Sequence, residues 1–482
     1  MALSTALYSG VSGLGTLGNA MQIIGDNTAN VNTVAFKGSN FNFQDLLSQS
    51  IYTLSGSSQV GRGSAMGSVS AAFDQGTFES TASDTDLAIN GGGFFVVRDP
   101  DSTDLFYTRA GNFSFDKDGY LVNPEGYVVQ GWQVDANSQN LGAPTDVQLV
   151  PLNAPPLATD NMKVVVNLDS NGNDNSPGAD DSLAIAWDGT QATPLAGTAY
   201  DYQTTLKAYD SLGNTHDITI YFDKAATSSA YEFIVTCNVG EDNRAIFGAT
   251  DEAKGMLARG LLEFDSSTGE ISDIDLWQFT GTGSGGDGIT LSAAGNWTAQ
   301  AEATDLSNGY FTVAPTFVSG NAMSVELNLG SAHDGTSWIN ETLSSTQYAR
   351  TSTTSYQSAT GYGAGDLRGV SVDVDGVLTG AYSNRQSIPH FRLSMADFLN
   401  EQGLAKMGGN LYSETPVSGI AMVNNPGTNG LGSIVANALE QSNVDLATEF
   451  VKMITTQRGF QANSKIITVT DQMMAELLNL KR

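Results

Sequence analysis

Cysteine is nearly absent from this chain of 482 residues, which contains only Cys237. A single thiol excludes an internal disulfide framework. The segment 1–21 has neither a basic cluster nor a long apolar run, so we expect no signal peptide there. No stretch approaches the ~18 consecutive apolar residues of a membrane-spanning helix. If the protein acts outside the cell, we expect it to be exported without a cleaved signal.

Basic residues are also scarce. The sequence has 21 Lys and Arg against 51 Asp and Glu, a formal net charge of −30. Nucleic-acid binding requires a basic surface, so this class of function is excluded, and adhesion to anionic membranes is disfavoured. A strongly acidic surface keeps a concentrated protein soluble, but it identifies no partner.

Proline is missing from both ends of the chain. None of the 12 prolines precedes Pro100 or follows Pro426, which permits long terminal helices. Between them, 53 glycines and many runs of Val, Ile, Thr, Tyr and Phe predict strands joined by tight turns. The length exceeds one hydrophobic core, so two to four domains are expected. The predicted fold class is mainly β with α-helical termini.

The N-terminal segment has a heptad pattern. Its apolar residues form two rows with a spacing of seven, and only Gly10 breaks the step in the second row. Together the rows alternate by steps of four and three, which is typical of a coiled-coil seam. The predicted N-terminal seam residues are Leu3, Leu7, Leu14, Leu17, Met21, Ile24 and Val31.

The C-terminal segment repeats this pattern more strictly. One row has an apolar residue at every seventh position, and the companion row is apolar only at its ends, so its polar centre is expected to set the register. The first row is Leu446, Met453, Phe460, Ile467 and Met474, and the companion row is Phe450, Gln457, Ser464, Asp471 and Leu478. Ser442 and Asp445 have the spacing of a capping box, so the helix is predicted to begin near Ser442.

These apolar rows can be buried in two ways. They can pack on a globular domain of the same chain, or they can be buried against the other terminus and against further copies. The lengths of the two helices favour the second interpretation, and we therefore predict an assembly seam formed by the apolar residues of both rows.

Pairing of the two termini places every other domain between them. The domain predictions are a terminal helical coiled-coil domain at 1–34 and 434–482, an extended linker at 35–70, an inner β domain at 71–150 and 362–433, and one or two outer β domains at 151–361. Within these domains we predict strands or hairpins at 88–97, 112–132, 204–223, 231–239 and 370–379, with tight turns at Asp118-Gly119 and Asp375-Gly376.

Catalytic motifs are weak. His216-Asp217 and His333-Asp334 are neighbours in β-rich segments. Adjacent strand residues point to opposite faces, so neither pair forms a base with its orienting carboxylate. We interpret both pairs as polar surface residues.

Two further motifs match ligand sites only by letter. The glycine-rich run 283–288 precedes a strand-like segment rather than a helix, so we interpret it as a loop. Asp169, Asn171 and Asn173 copy the first positions of a calcium loop, but Asp174 replaces the required glycine and Asp180 the bidentate glutamate. A polar turn is the favoured interpretation. We predict no catalytic, metal or cofactor site.

Cys237 is predicted to be a buried small hydrophobe. Strand alternation places it on the same face as Tyr231, Phe233 and Val235.

Three segments resemble the bacterial flagellar rod and hook protein family. The run 25–37 (GDNTANVNTVAFK) resembles the family signature, 84–97 (DTDLAINGGGFFVV) its first β domain, and 442–482 its C-terminal helix. Rod proteins are much shorter. The runs 209–222 (YDSLGNTHDITIYF) and 377–387 (VLTGAYSNRQS) resemble the hook members, although Arg385 stands where these often have glycine.

The resemblance implies a structural subunit of the flagellar hook, a flexible extracellular tube that transmits torque from rod to filament. It further implies type III export, self-assembly, and contacts with the distal rod, hook cap and hook–filament junction proteins. Some spirochaete members cross-link subunits through cysteine, but nothing near Cys237 favours that reaction. The alternatives are a distal rod or junction protein, or a secreted β-rich glycan-binding protein or hydrolase with paired carboxylates.

Overall fold

The computed structural model describes residues 2–53, 56–150, 153–176, 182–226, 229–247, 251–281, 291–302, 304–317 and 322–479. The chain forms two compact units. The first unit consists of 1–152 and 367–482 and therefore contains both chain ends, whereas the second unit is the continuous segment 153–366. Among the helices of the described part, none combines the length and apolar character needed to cross a bilayer.

The first unit begins with a long helix and two hairpins. These elements are α1 (Ala2–Ala29), β1 (Ser39–Asp45), β2 (Gln49–Thr53), β3 (Gly56–Val60) and β4 (Ser64–Ala71). Strand β1 pairs with β4, and β2 pairs with β3, all antiparallel. The segment 35–70, predicted as an extended linker, is thus largely hairpin, because apolar and polar residues alternate along Asn40–Phe43 and its partner strand.

Helix α1 is shorter than the predicted range 1–34. The Asn30 side chain donates a hydrogen bond of 3.0 Å to the Asp26 carbonyl, and Ala35 adopts a left-handed φ of 54°. The Asn30 bond satisfies one of the last carbonyls of the helix, whereas Ala35 lies in the turns that follow it. Val31, predicted as a seam residue, therefore lies in the turn that follows the helix.

An antiparallel β core follows. Its first strands are β5 (Phe78–Ser80), β6 (Leu87–Asn90), β7 (Phe94–Arg98), β8 (Leu105–Thr108), β9 (Ser114–Phe115), β10 (Leu121–Val122), β11 (Val128–Val134) and β12 (Asn140–Asp146). Gly119 has a φ of +83°, which suits the predicted Asp118-Gly119 turn.

The described part of the second unit contains two larger sheets and a separate two-stranded sheet. Its elements are β13 (Asn153–Ala154), β14 (Asn161–Asp169), α2 (Ser182–Ile185), β15 (Tyr202–Tyr209), β16 (Thr215–Lys224), β17 (Ala230–Cys237), β18 (Met256–Phe264), β19 (Ile271–Phe279), β20 (Trp297–Ala299), β21 (Phe311–Val313), β22 (Val325–Asn328), β23 (Ser331–His333), β24 (Trp338–Asn340), β25 (Thr346–Tyr348) and β26 (Thr353–Ala359). Strands β15 to β20 form an antiparallel meander, and β14 is the centre of a second sheet with β22, β25 and β26. The predicted hairpin 204–223 is confirmed by the pairing of β15 with β16.

One apolar core joins these two sheets. It includes Met162 and Val164 from β14, Ile220 from β16, and Phe233 from β17. A smaller cluster around Trp187 and Trp297 covers the other face of the meander. Every residue of β17 is consequently buried, as expected for a strand covered on both faces.

The chain then returns to the first unit. The returning elements are β27 (Gly365–Val372), β28 (Val377–Tyr382), β29 (Ser387–Leu393), β30 (Met395–Asp397), β31 (Ala405–Gly408), β32 (Leu411–Ser413), β33 (Met422–Asn424), β34 (Ser433–Ala436), β35 (Ala438–Glu440) and α3 (Leu446–Asn479). Strand β29 pairs with β11, β34 with β6, and β35 with β5. The β core of the first unit is therefore built from two passes of the chain.

The C-terminal helix also starts later than predicted. Residues 434–440 are mostly strand because they pair with β5 and β6. The helix is capped by Asp445, not Ser442, since the Asp445 carboxylate accepts hydrogen bonds from the amides of Ala447 (2.8 Å) and Thr448 (3.3 Å).

Candidate assembly surface

Helices α1 and α3 pack against each other in antiparallel directions. A methyl group added to Gly10 would lie 3.1 Å from Ile467 Cγ1, and one added to Gly459 would lie 3.1 Å from Leu17 Cδ1. Advancing along α1 therefore means going back along α3. The first and last helices of the chain form one pair, as the sequence predicts.

Small residues allow the two helices to approach closely. A methyl group on Gly13 would lie only 2.9 Å from Asn463 Nδ2, so the Asn463 side chain lies over the bare backbone of Gly13. Asn463 Nδ2 also donates a hydrogen bond of 3.1 Å to the Gly459 carbonyl. The contact combines glycines with a hydrogen-bonded amide and with the apolar side chains of Leu17 and Ile467.

The stripe of α3 that is buried within the chain is polar. Glu449, Thr456 and Thr470 are 5%, 7% and 3% exposed, and Asn463 continues their spacing of seven. The predicted register residues Gln457, Ser464 and Asp471 are all exposed. Helix α1 does not bury this row within the chain, and a role of these residues in setting the register between copies stays a prediction.

The predicted seam residues of α3 lie beside or opposite the buried stripe. Leu446, Phe450, Phe460 and Met474 are exposed, whereas Met453 and Ile467 are half-buried. In and after α1, Leu7 is exposed, Leu14, Leu17, Met21 and Val31 are half-buried, and Ile24 is buried. The side chains of Leu3 and Leu478 lie outside the described residues. The apolar residues of α3 are thus largely available to other molecules, whereas those of the N-terminal row are mostly half-buried or buried. A role in assembly stays a prediction.

One face of α3 points away from α1. Phe450, Val451 and Ile454 are 50%, 63% and 50% exposed. At 100° per residue these side chains and the exposed Arg458 lie roughly opposite Thr456. We call these four residues the outer face of α3.

The hairpin β1–β4 holds α1. Asn27 exchanges two hydrogen bonds with the backbone of Ser39, one from its amide nitrogen (2.9 Å) and one to its oxygen (2.8 Å). Thr16 Oγ1 donates to the Ser64 carbonyl at 3.0 Å. These bonds fix the helix to the start and the return of the hairpin.

A buried ion cluster lies where the chain leaves α1 and where it returns to α3. Lys37 Nζ is 2.6 Å from Glu440 Oε1, and both side chains are fully buried. Arg109 Nη1 lies 3.8 Å from Glu440 Oε2. Burial lowers the pKa of Lys37, against the opposing effect of Glu440. The cluster links three distant parts of the first unit, and sequence analysis did not identify it, because its partners are separated by hundreds of residues.

Comparison with known proteins gives three matching family models. The flagellar hook protein FlgE/F/G D1 domain matches residues 88–170, the flagellar basal body protein FlaE D2 domain matches 167–362, and the flagellar basal body rod FlgEFG protein C-terminal region matches 435–480.

Full-length relatives decide the family. The chain is 33% identical to the flagellar hook protein FlgE of Borreliella burgdorferi, and 99% of each chain is covered. The hook protein of Treponema pallidum is also 33% identical, with 99% of each chain covered, and that of Escherichia coli is 27% identical over 99% of this chain and 100% of its own. The chain belongs to the flagellar hook protein family.

The family models can be placed on the fold of this family member. The D1 match contains most of the first-pass β core, the D2 match contains most of the second unit, and the C-terminal match contains β35 and α3. Lys37 belongs to the signature run 25–37, and Glu440 lies inside the C-terminal match. The buried ion cluster thus connects two of the conspicuous sequence segments.

The two histidines predicted at the surface are instead packed. His216 is 6% exposed and stacks on Phe317 with ring centroids 3.7 Å apart. Its Nδ1 lies 2.7 Å from Glu241 Oε2 and its Nε2 lies 3.4 Å from Asp210 Oδ2. The surface prediction failed because these partners are not adjacent in sequence.

His333 is similarly held. Its side chain is 4% exposed, with Nε2 3.3 Å from Glu302 Oε2, and Trp338 Nε1 donates to the same carboxylate. Both histidine rings are therefore in contact with carboxylates and aromatic rings of the same chain.

For Cys237 and for the segment that begins at Asp169, the structure agrees with the predicted buried thiol and the predicted polar turn. Cys237 is buried with Tyr231, Phe233 and Val235 in one core, as predicted, and burial raises its thiol pKa to about 12. The amides of Asn171 and Gly172 both donate to Asp169, forming a turn. Within the described residues there is no cluster of potential metal ligands. The run 283–288 and Asp180 lie outside the described residues.

Proposed function

We propose that the protein is a structural subunit of the bacterial flagellar hook and that it polymerises through its terminal helices. The proposal rests on one observation: α3 has apolar residues that stay exposed although the helix is paired with α1. An isolated chain gains nothing from this exposure, whereas burial against a further copy releases ~25 cal/mol for each Å² of apolar surface.

The assembled form is a flexible extracellular tube that carries torque from rod to filament. Family membership supports this form, and the fold contains suitable elements. The first unit contains both terminal helices, while the second unit is inserted as one continuous segment. Its role is structural and not enzymatic.

The partners beyond the chain itself belong to the same proposal. They are the distal rod protein, the hook cap protein, the hook–filament junction protein and the type III export apparatus. Family membership supports this set. Neither nucleic acid nor a membrane is among the partners, consistent with the net charge of −30.

A charge introduced into the exposed row tests the proposal. Phe460 is 43% exposed on α3, and Phe460→Asp should abolish polymerisation because it places a carboxylate in the proposed contact. The control is Leu212→Asp, at a position that is 66% exposed in the second unit and outside the proposed seam. Sedimentation and electron microscopy of both purified variants give the answer.

Two outcomes would contradict the proposal. Normal tubes from Phe460→Asp would show that this row is not an assembly contact. Straight rods or closed rings from the wild-type protein would exclude a hook subunit in favour of a rod or junction protein. Thermal unfolding of the second unit should be unchanged in Phe460→Asp.

A further inference from the structure

The first unit contains an open groove on the side of α1 that faces away from α3. It has a volume of about 870 Å³ and is lined by Ile23 of α1, Met66 and Val69 of β4, and Phe73 and Leu404 from the β core. Val69 is 52% exposed. The lining also includes polar side chains such as Asn19 and Gln22. A concave surface with an apolar part and a polar part can bind an amphipathic helix.

The helix α3 of the same chain does not reach this groove. Helix α1 contacts α3 through Gly10, Gly13 and Leu17. Its groove residues Ile23 and Asp26 lie roughly on the opposite side of the helix at 100° per residue. The groove and the outer face of α3 therefore lie on opposite sides of the helix pair.

The described lining of the groove has an excess of acidic over basic side chains, with two carboxylates and one ammonium group. Asp26 and Glu401 line it together with Lys406, whose Nζ is already 3.2 Å from Ser39 Oγ and 5.5 Å from the centre of the Phe36 ring. Among the described residues, no side chain forms a hydrogen bond or ion pair with the Glu401 carboxylate. Burial raises the pKa of Glu401, against the opposing effect of the nearby cations Arg109 and Lys37.

The outer face of α3 carries the complementary features. Phe450 and Ile454 are spaced by one helical turn, and Arg458 follows after a further turn. Arg458 is exposed and forms no ion pair within the described part of the chain. Two apolar anchors followed by a free guanidinium match an apolar groove with acidic side chains.

We propose that this groove binds the outer face of α3 from a second copy of the chain, with Arg458 of that copy placed at Glu401 and Asp26. The inference rests on the proposed function and names the receptor surface for its helix. Because the two surfaces differ and face opposite ways, each bound copy presents a new groove or a new helix. Such a heterologous contact propagates into a filament instead of closing a dimer.

A charge exchange tests the pairing in the full-length protein. Arg458→Glu and Glu401→Lys alone should each raise the critical concentration for polymerisation about tenfold, through like-charge contact across the interface. The double variant should recover to within about threefold of wild type, since the pair is restored in the opposite sense. Lys465→Glu, the same charge change at an exposed position of α3 beyond the anchors, should polymerise normally. Single variants that polymerise like wild type, or a double variant no better than the singles, would overturn the pairing.

Cysteine cross-linking gives a second readout that does not depend on charge. One preparation carries Ile454→Cys and the other Val69→Cys, and the native Cys237 is buried. Mixed polymers should yield disulfide-linked dimers of the two proteins on oxidation, whereas Val374→Cys, at a position 65% exposed elsewhere in the first unit, should not link to Ile454→Cys. Normal tubes without the expected link would contradict the groove alone, and failure of the wild type to polymerise would contradict the proposed function.

Discussion

At the scale of single residues, Arg98 and Asp146 form a bidentate ion pair in the first unit. Arg98 Nε and Nη2 lie 2.9 and 2.7 Å from the two oxygens of Asp146, and Gln130 donates to the same carboxylate at 2.6 Å. The bond with Arg98 is the main cause that lowers the pKa of Asp146. The pair connects β7 with β12 across the intervening β11.

Acid should remove the contribution of this pair. A carboxylate with a lowered folded-state pKa stabilises the fold above its ordinary value of 3.8, and this contribution is lost as the pH falls through the folded-state pKa. Asp146→Asn should cost about 1 kcal/mol at neutral pH, and the difference from wild type should shrink on acidification. Urea unfolding at several pH values measures it. A difference that does not change with pH would contradict the role of the charge.

Substitution of the buried His216 should have a larger effect on stability. His216→Leu leaves Glu241 and Asp210 without their shared partner and should destabilise the second unit by about 2–3 kcal/mol. The neighbouring Asp217 is 60% exposed in its ion pair with Lys207, so Asp217→Asn should change stability by no more than about 0.5 kcal/mol. Chemical denaturation followed by tryptophan fluorescence compares the variants. Equal stabilities would show that the His216 contacts contribute little.

At the scale of elements, alanine substitutions at two glycines of α1 should have opposite effects on stability. Gly13→Ala places a methyl group against Asn463 and should weaken the helix pair by about 1–3 kcal/mol. Gly15 has no atom within 4 Å of an added methyl group, so Gly15→Ala should stabilise the helix by about 0.5–1 kcal/mol. Thermal unfolding followed by circular dichroism measures both.

Relief of the clash separates packing from helix propensity. Asn463→Ala in the Gly13→Ala background removes the group that the added methyl meets, and should recover much of the lost stability. If the double variant is as unstable as Gly13→Ala alone, close packing at this position is not the cause.

The helices and the tight turns could be predicted from the sequence because their signals are local. The absence of proline, the heptad spacing and the Asp375-Gly376 turn, where Gly376 has a φ of +75°, depend on neighbouring residues. Strands β34 and β35 were not predicted, and most of their residues were assigned to the helical domain 434–482, because they have only three or four residues and pair with strands more than 300 positions away. Tertiary pairing decided their structure.

The orientation of α3 could not be predicted for a different reason. Apolar spacing identifies a stripe that avoids water, but α1 packs against Gly459 and Asn463 because glycines permit a close contact there. The apolar residues remain exposed in the single chain. The apolar spacing of this helix is therefore consistent with burial by other copies. A pattern within one chain does not distinguish such burial from burial by its own partner helix.

At the scale of the whole molecule, the second unit leaves and rejoins the chain at one point. Asn153 pairs with Asp366, and Ala154 pairs with Gly365, on the antiparallel strands β13 and β27. Paired residues of such strands are about 5 Å apart between Cα atoms. A short linker between 150 and 367 therefore spans the gap left by removing the second unit, without disturbing either pass of the first.

Excision of the second unit should leave an assembling protein. The first unit keeps its own core, including Phe95, Val129 and Leu393, together with both terminal helices. The deleted chain with a short Gly-Ser linker should unfold cooperatively and should still form polymers, because the proposed contacts lie in the first unit. Sedimentation and electron microscopy test this, with Phe460→Asp in the same background as the control that should not polymerise. A folded but permanently monomeric deletion would place an essential assembly contact in the second unit and contradict the assignment of assembly to the helix pair.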